Sequence, residues 1–493
     1  MTPEKESYKQ IFKATSIFGG VQVFQIIANL LKSKIIALLL GPEGVGIFSL
    51  LLNPVNLVSQ ITGLGINTSA IRDVAKSTDN QLELRKTVKT VRSWTRITGI
   101  VGVLFLLLFA PWVSKWTFGN ENYTLDFRLL SVVVLLIALG NENDVILKGK
   151  RRIQYIAKAG VFSAFIGLIA SAPIYYLFGK DGIVAVIVIT YLSIYLFNKY
   201  FAAKEQIENI KLSRIETFYR GKSMVTLGSM MMLGTIVQTM TMYFTNMFVR
   251  SHGNLHDVGL FQAGMSITAV SIDMVYNAMA GDFYPRLSSI CDDKEQAENL
   301  INQQAEMAVL LTTPIIIGML IFAPLLIRIF LSSEFLSIQT FISWIFIAVT
   351  FRPVSYTIYY LLLAKGNTKS CFMFAVVINS SLLLFYPLGY TLLGLKGLGI
   401  GYLLMMVIYA VTIVWYVYKK YNVKYKFSYC CLQLFCFISC TVVFCILLTI
   451  NSYWQYIISI PIFLLTSSFC FYKLNERMDL IKVIKVKIRG KLK

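Results

Sequence analysis

The sequence predicts an all-α polytopic membrane protein of about 14 transmembrane helices. Two parallel six-helix repeats surround a central cavity, and two extra helices follow at the C-terminal end. Three observations predict this. Of 493 residues, 56% are hydrophobic and 14% charged, whereas soluble domains carry about 25% charged residues. The apolar residues fall into runs of about 20, the number that crosses a hydrocarbon core of roughly 30 Å at about 1.5 Å per residue. Sequence landmarks in the first half recur in the same order in the second. A soluble enzyme, a disordered chain and a disulfide-stapled secreted domain are thereby excluded.

The runs cover approximately 14–40, 46–66, 93–113, 127–147, 157–178, 183–202, 223–250, 258–281, 305–330, 337–364, 370–393, 398–418, 428–449 and 454–472. The polar segment Met1–Gln10 precedes a long apolar run without a small-residue cleavage pattern, which reads as a retained helix rather than a signal peptide. The expected domains are 1–222, 223–420 and 421–493: a six-helix bundle, a second bundle, and two additional helices with a basic tail.

An even number of crossings puts both termini on one side. Of the 46 Lys and Arg, 36 fall on that side. Six (Lys115, Arg128, Lys180, Arg250, Arg328, Lys396) fall on the other, and four (Lys32, Lys34, Arg96, Arg352) within runs. The positive-inside rule then predicts cytoplasmic termini. It also accounts for most of the +21 net charge. The clusters Lys148–Arg152, Lys199–Lys222, Lys419–Lys426 and Lys473–Lys493 read as anchors facing anionic lipid, not as a nucleic-acid surface. External loops are too short to house a catalytic domain. On the cytoplasmic side, 67–92 and 282–304 are longer and read as interfacial helices. Six of the eight cysteines lie in the last 64 residues, inside apolar segments and without a CxxC pair, and read as small apolar filler.

Gly41-Pro42-Glu43-Gly44-Val45-Gly46-Ile47-Phe48 joins the first two runs, and Gly253-Asn254-Leu255-His256-Asp257-Val258-Gly259-Leu260-Phe261 joins the seventh and eighth, 213 positions later. Lys148-Gly149 is matched by Lys365-Gly366, and Gly179-Lys180-Asp181-Gly182 by Gly394-Leu395-Lys396-Gly397, at 217 and 215 positions. A repeat of six crossings preserves membrane direction, so the halves are parallel repeats, a transporter architecture.

Lipid offers no hydrogen bonds, so intramembrane amides and charges must pair between helices or line a wet cavity. Gln25 and Asn29 in the first run, and Asn53, Asn56 and Gln60 in the second, recur at helical spacing. Gln238 in the seventh run and Gln262, Ser266, Asp273 and Asn277 in the eighth do the same. Arg352 lies deep in the tenth run with Tyr356 and Tyr359 on nearby turns; a role in the cavity and a pair with an acid are the two readings. Lys32 continues the first polar stripe and Lys34 does not. Asp273 lies in the stripe of the eighth run, and Asp144 lies with Glu142 near the cytoplasmic end of the fourth. Arg72 and Arg286 read either as a cytoplasmic mouth that attracts anions or as ordinary positive-inside anchors. No phosphate-binding GxxxxGK[ST], HExxH or GxSxG occurs, and the sequence implies no catalytic residue, metal site or cofactor.

The Leu-Gly-Pro-Glu-Gly-Val-Gly turn (Leu40 to Gly46), the Val-Gly-Leu-Phe-Gln opening of the eighth run (Val258 to Gln262) and the six-plus-six-plus-two plan resemble the O-antigen/polysaccharide flippases. That family shares a superfamily with multidrug and toxin exporters and the peptidoglycan-precursor flippase. The Lys-x-x-Ala-x-Leu-Leu-Gly-Pro pattern also resembles the family and selects Lys34, against the stripe. The resemblance implies a bacterial inner-membrane flippase, not an enzyme. It implies movement of an undecaprenyl-diphosphate-linked oligosaccharide to the outer leaflet by alternating access, driven by proton or sodium coupling or by product removal; if ions drive it, Asp273 or Asp144 would be the coupling carboxylate. Lys32 or Lys34 with Arg352 would meet the diphosphate, and amides and tyrosines the sugars. The lipid bilayer and other polysaccharide-assembly membrane proteins are the expected partners. The alternatives are an ion-coupled multidrug exporter of the same superfamily and, further off, a membrane glycan polymerase.

Overall fold

The computed structural model describes the backbone of residues 3–478 except 209 and 451, and the side chains of 31–476 except 153, 209, 227, 230, 231, 270, 274, 278, 281, 282 and 451. Among the described residues every regular element is helical: α1 (Pro3–Gly63), α2 (Ile66–Ser77), α3 (Gln81–Phe118), α4 (Thr124–Gly149), α5 (Ile153–Phe178), α6 (Gly182–Ala203), α7 (Arg214–His252), α8 (Leu255–Ile290), α9 (Lys294–Phe330), α10 (Gln339–Val349), α11 (Arg352–Ala364), α12 (Thr368–Leu393), α13 (Leu395–Tyr421), α14 (Phe427–Thr449) and α15 (Trp454–Met478). The chain is a multi-pass membrane protein. By length and hydropathy, ten of the described helices could cross a membrane, or eleven if the bent pair α10–α11 is one span. Three features separate that number from the fourteen apolar runs. α1 carries two runs across a break at Gly41, α5 and α6 join into one apolar stretch, and α7, three of whose side chains lie outside the described residues, is not among the ten.

Helix starts follow local chemistry. Asn80 caps α3 by accepting from the Leu82 and Glu83 amides, and Ser213 caps α7 by accepting from the Glu216 amide, a Ser-x-x-Glu start.

Contacts divide the chain into two compact units, Met1–Gly259 with Phe330–Ser332, and Leu260–Ile329 with Ser333–Lys493. α7, the first helix of the second repeat by sequence, therefore packs within the first unit. Its Thr217 carbonyl accepts from Trp94 Nε1 at 3.0 Å and its Arg220 Nη1 meets Glu83 at 2.9 Å. Toward its other end, Tyr243 and Thr117 share a hydroxyl hydrogen bond of 2.7 Å, and Arg250 donates to the Phe118 carbonyl. The short α2, expected as an interfacial helix, buries one face. Ile66, Ala70 and Val74 pack with Leu84, Val88 and Val91 of α3, Val145 and Ile146 of α4, and Met224 of α7. In the second unit, α14 and α15 bury Tyr429, Cys436, Cys470 and Leu474 against Ala305, Val309 and Leu310 of α9.

The repeat is visible in backbone torsions. Gly179 has φ 55 and ψ −131, and Gly394, 215 positions on, has φ 59 and ψ −142. Both conformations are open essentially to glycine alone. At the preceding turn, Lys150-Arg151-Arg152 has the same shape as Lys365-Gly366-Asn367. Lys150 (φ −82, ψ 6) matches Lys365 (φ −76, ψ 4), Arg151 (φ 53) matches Gly366 (φ 64), and Arg152 (φ −80, ψ 58) matches Asn367 (φ −81, ψ 67). The sequence pairing of Lys148-Gly149 with Lys365-Gly366 is therefore two residues out of register. The letters match there, whereas the left-handed position holds arginine in one repeat and glycine in the other. The same close approach also recurs: a Cβ on Gly182 would meet the Ile174 carbonyl, and one on Gly397 the Gly389 carbonyl, again 215 apart.

Candidate functional site

Arg352 opens α11 immediately after the break that bends it 52° from α10. The break has a local cause. Pro353 fixes its own φ and has no N–H to return to the preceding turn, so a new helix starts there. A discontinuous helix places a positive dipole end and a free side chain at membrane depth, the usual means of building a binding site in a transporter. Arg352 Nη1 lies 2.6 Å from Asp273 Oδ1 of α8, and the two side chains are 28% and 44% exposed. The guanidinium also lies over the Tyr276 ring, 4.5 Å from its centre. Such stacking contributes on the order of 1 kcal/mol and more where water is excluded.

Tyrosines hold the pair in place. Tyr356 donates its hydroxyl to the Tyr276 carbonyl at 3.1 Å and packs edge-on to the Tyr276 ring. Tyr360 continues the row against Tyr356, Phe283 and Tyr284, and Tyr359 packs beside Tyr360. Thus Arg352, Asp273 and Tyr356 converge within one unit, with Tyr359 at the row's margin. Arg352 is thus paired with an acid, which is one of the two sequence readings, and is partly accessible.

The repeat supplies a comparison. At 213 positions back, Asp273 corresponds to Gln60 and Tyr276 to Gly63; at 215 back, Arg352 corresponds to Ile137 and Tyr356 to Asn141. Gly63, Ile137 and Asn141 all line a small pocket in the first unit, with Ser59 and Thr95. The hydroxyls of Ser59 and Thr95 are buried there without partners among the described residues. One half of the molecule therefore carries a charged, ring-filled cluster where the other carries a neutral, hydroxyl-lined space.

Lys32 is half-buried in the first unit, where Nζ donates to Thr190 Oγ1 of α6 at 3.1 Å and stands 5.6 Å from the Phe48 ring. Lys34 is also half-buried. Gln60 Oε1 accepts from Thr239 of α7 at 3.0 Å, so this stripe residue pairs between helices. Asn53 and Asn56 are half-buried on α1, and the Asn53 Nδ2 is buried without a partner among the described residues. Gln25 and Asn29 lie outside the residues whose side chains are described. Gln238 and Asn277 are exposed, Gln262 is half-buried, and exposed Ser266 bonds its own helix at the Gln262 carbonyl. Asp144 pairs with Lys148 one turn along α4, at 2.6 Å. Arg72 is exposed and pairs with Asp73 at 3.1 Å, and Arg286 is exposed on α8.

Sequence reasoning missed Tyr276, although its place one helical turn after Asp273 was a usable signal. It also missed the company of Glu142. That carboxylate is 5% exposed and meets Arg92 at 3.4 Å and Arg96 at 3.2 Å, two arginines one turn apart on α3.

The family described as polysaccharide biosynthesis protein matches residues 35–340. A putative O-antigen transporter of Shigella flexneri is 23% identical over 387 residues, covering 76% of this chain and 90% of the relative. Among solved structures, the lipid II flippase MurJ in an inward-closed conformation superimposes with a TM-score of 0.72 at 17% identity, over 94% of this chain and 99% of that one. An inward-facing multidrug-resistance MATE family transporter of the MOP superfamily does so with a TM-score of 0.64 at 18% identity, over 79% and 93%. At these identities the structural likenesses establish the fold.

Proposed function

The chain belongs to the polysaccharide biosynthesis protein family, and from that premise we propose that it is a flippase for lipid-linked oligosaccharides in a bacterial inner membrane. Its cargo is a polyprenyl-diphosphate-linked repeat unit, moved from the cytoplasmic to the outer leaflet by alternating access for surface polysaccharide assembly. Both termini face the cytoplasm in this reading. Named relatives and structural neighbours are transporters and flippases, in keeping with a carrier rather than an enzyme.

The observation that carries the proposal is the Arg352 cluster. A guanidinium presented at a broken helix suits a phosphate, because its planar fork matches paired phosphate oxygens. The tyrosine row beside it offers flat faces and hydroxyls to sugars, each ring combining an apolar body with a polar tip. Lys32 or Lys34 is the second cation, and the polyprenyl tail stays in lipid. A multidrug exporter of the same fold would take organic cations, for which a cluster built around a guanidinium is poorly suited.

The test is genetic and biochemical. Deletion should leave lipid-linked repeat units in the cytoplasmic leaflet, whereas loss of a polymerase would leave single units displayed outside. Arg352→Ala should abolish surface polysaccharide while the protein remains in the membrane at its normal level. Normal polysaccharide in that variant would remove Arg352 from the site. An Arg352→Lys variant that keeps most activity would point to recognition of a point charge instead of a fork.

A further inference from the structure

We propose that α14 braces the break that presents Arg352, with Gln433 of that helix and Tyr425 of the link before it as positioning residues. Resting on the reading of Arg352 as the phosphate ligand, this adds the groups that aim it.

Gln433 is the one amide or charged side chain between Phe427 and Thr449, in a helix otherwise apolar enough to cross a membrane. Lipid cannot satisfy an amide, so a glutamine there must bond to protein. Its Nε2 donates to the Thr350 carbonyl at 2.6 Å. Tyr429, one turn earlier and 1% exposed, donates its hydroxyl to Gln433 Oε1 at 3.3 Å and so holds the amide plane.

Thr350 is where the backbone needs a partner. It closes α10 two residues before Arg352 and is 6% exposed, and Pro353 removes an N–H that would have returned to the preceding turn. The Ser355 amide reaches back across the break, but to the Phe351 carbonyl, at 3.4 Å. On the far side of Arg352, Tyr425 donates its hydroxyl to the Val354 carbonyl at 2.7 Å and shares a hydrogen bond of 2.7 Å with the Thr357 hydroxyl. The Phe437 ring of α14 lies 5.1 Å from that of Phe351. The backbone two residues before and two residues after Arg352 is thus held by side chains from α14 and its link.

The first repeat shows the alternative. Shifted by 215 positions, α10 and α11 (Gln339–Ala364) coincide with α4 (Thr124–Gly149), which runs unbroken, with Ile137 in place of Arg352 and Ala138 in place of Pro353. No sequence counterpart of α14 exists in that half. Break, arginine and brace therefore occur together. A guanidinium fork is directional, so a pivot at open peptide groups beside it would turn it away from paired phosphate oxygens.

Full-length protein in nanodiscs tests this with two readouts. Gln433→Met keeps the length of the side chain and loses the donor. Tyr425→Phe removes a single oxygen and keeps the test available should Gln433→Met lower the folded yield. Amide hydrogen exchange reads the brace without any cargo. In either variant the amides of 350–357 should exchange about three- to tenfold faster, with the unbroken α4 unchanged. Unchanged exchange in both variants overturns the brace. Binding of farnesyl diphosphate reads the aim. Each variant should weaken it about three- to tenfold, and neither should weaken it further in an Arg352→Gln background, because a residue that acts through another has no effect once that one is gone. Equal weakening with and without Arg352 means that α14 only packs its unit, and overturns the positioning role. So does wild-type affinity in both variants. If Arg352→Gln itself binds as wild type, the phosphate reading on which the positioning role depends is removed, and the exchange result decides the brace alone.

Discussion

Gly46 and Gly259, 213 positions apart, pack backbone to backbone in a reciprocal contact. A Cβ on Gly46 would strike the Leu255 carbonyl, and a Cβ on Gly259 would strike the Pro42 carbonyl. Pro42 and Leu255 are themselves 213 apart. If residue i touches j in the other copy, and the copy of i touches the copy of j, the contact is two-fold in character. The first turn of each repeat therefore meets its own counterpart about a local pseudo-two-fold. This explains the shared Val-Gly of both motifs physically: at that approach distance there is no space for a side chain.

Substitution at this contact should be costly and nearly symmetric. Gly46→Ala and Gly259→Ala each push a methyl group into a main-chain carbonyl that has no rotamer to retreat into. Each should lose roughly 1–3 kcal/mol, the range for overpacking. Gly63→Ala would meet nothing within 4 Å, and should lose less. Thermal unfolding in one detergent, followed by tryptophan fluorescence, ranks the three. Equal loss at Gly63 and Gly46 would contradict the contact.

The left-handed position shared by Arg151 and Gly366 yields a gain. Arg151 holds φ 53, a conformation costly for a side chain and free for glycine, and its side chain is exposed. Arg151→Gly should stabilise the protein by about 0.5–1 kcal/mol. Gly366→Ala should destabilise it by a similar amount, since nothing lies within 4 Å of its missing Cβ and only the torsion matters. Opposite shifts in melting temperature are the expected result.

The Glu142 cluster should respond unequally to its two arginines. Arg96 is 59% exposed, so Arg96→Ala leaves Glu142 with Arg92 and costs under about 1 kcal/mol. Glu142→Ala removes the buried carboxylate that Arg92 and Arg96 share, and should cost about 3–5 kcal/mol. Folded yield and melting temperature of the two variants separate these outcomes.

Much of this was legible in the sequence, because membrane helices must satisfy their own backbone and so announce themselves by hydropathy. Glycine turns were legible because their torsions admit little else. Arg352 and Asp273 each stood out as a charge where charge is expensive. Their pairing did not, since no local pattern links residues brought together only by the packing of α8 against a broken helix. Gln60 read as cavity lining, and the structure gives it Thr239 as a partner, because polarity marks a need for hydrogen bonds without saying who meets it. α2 read as interfacial, yet its apolar face has Val88, Val91 and Met224 to pack on.

Glu205 gives a pH prediction outside the membrane segments. It follows α6, is 3% exposed at its side chain, and joins Lys150 and Arg152, the latter at 2.6 Å from Nε. Burial alone would raise its carboxyl, but hydrogen bonds and charge from Lys150 and Arg152 outweigh that and hold it below the usual glutamate range. A depressed carboxylate stabilises the fold wherever the unfolded chain is also ionised, and the gain disappears as pH falls through the lowered folded value. The clamp should therefore be constant from neutral pH down to about pH 5, near the ordinary carboxylate range, and be lost below it. Limited proteolysis within 204–213 reads it directly with an acid-stable protease: no change from pH 7 to 5, then faster cleavage at lower pH. Glu205→Gln should show the faster rate already at neutral pH and no further acid step from this site. If the variant cuts as slowly as wild type at pH 7, the two cations hold the loop without the carboxylate, and the assignment of the clamp to Glu205 is wrong.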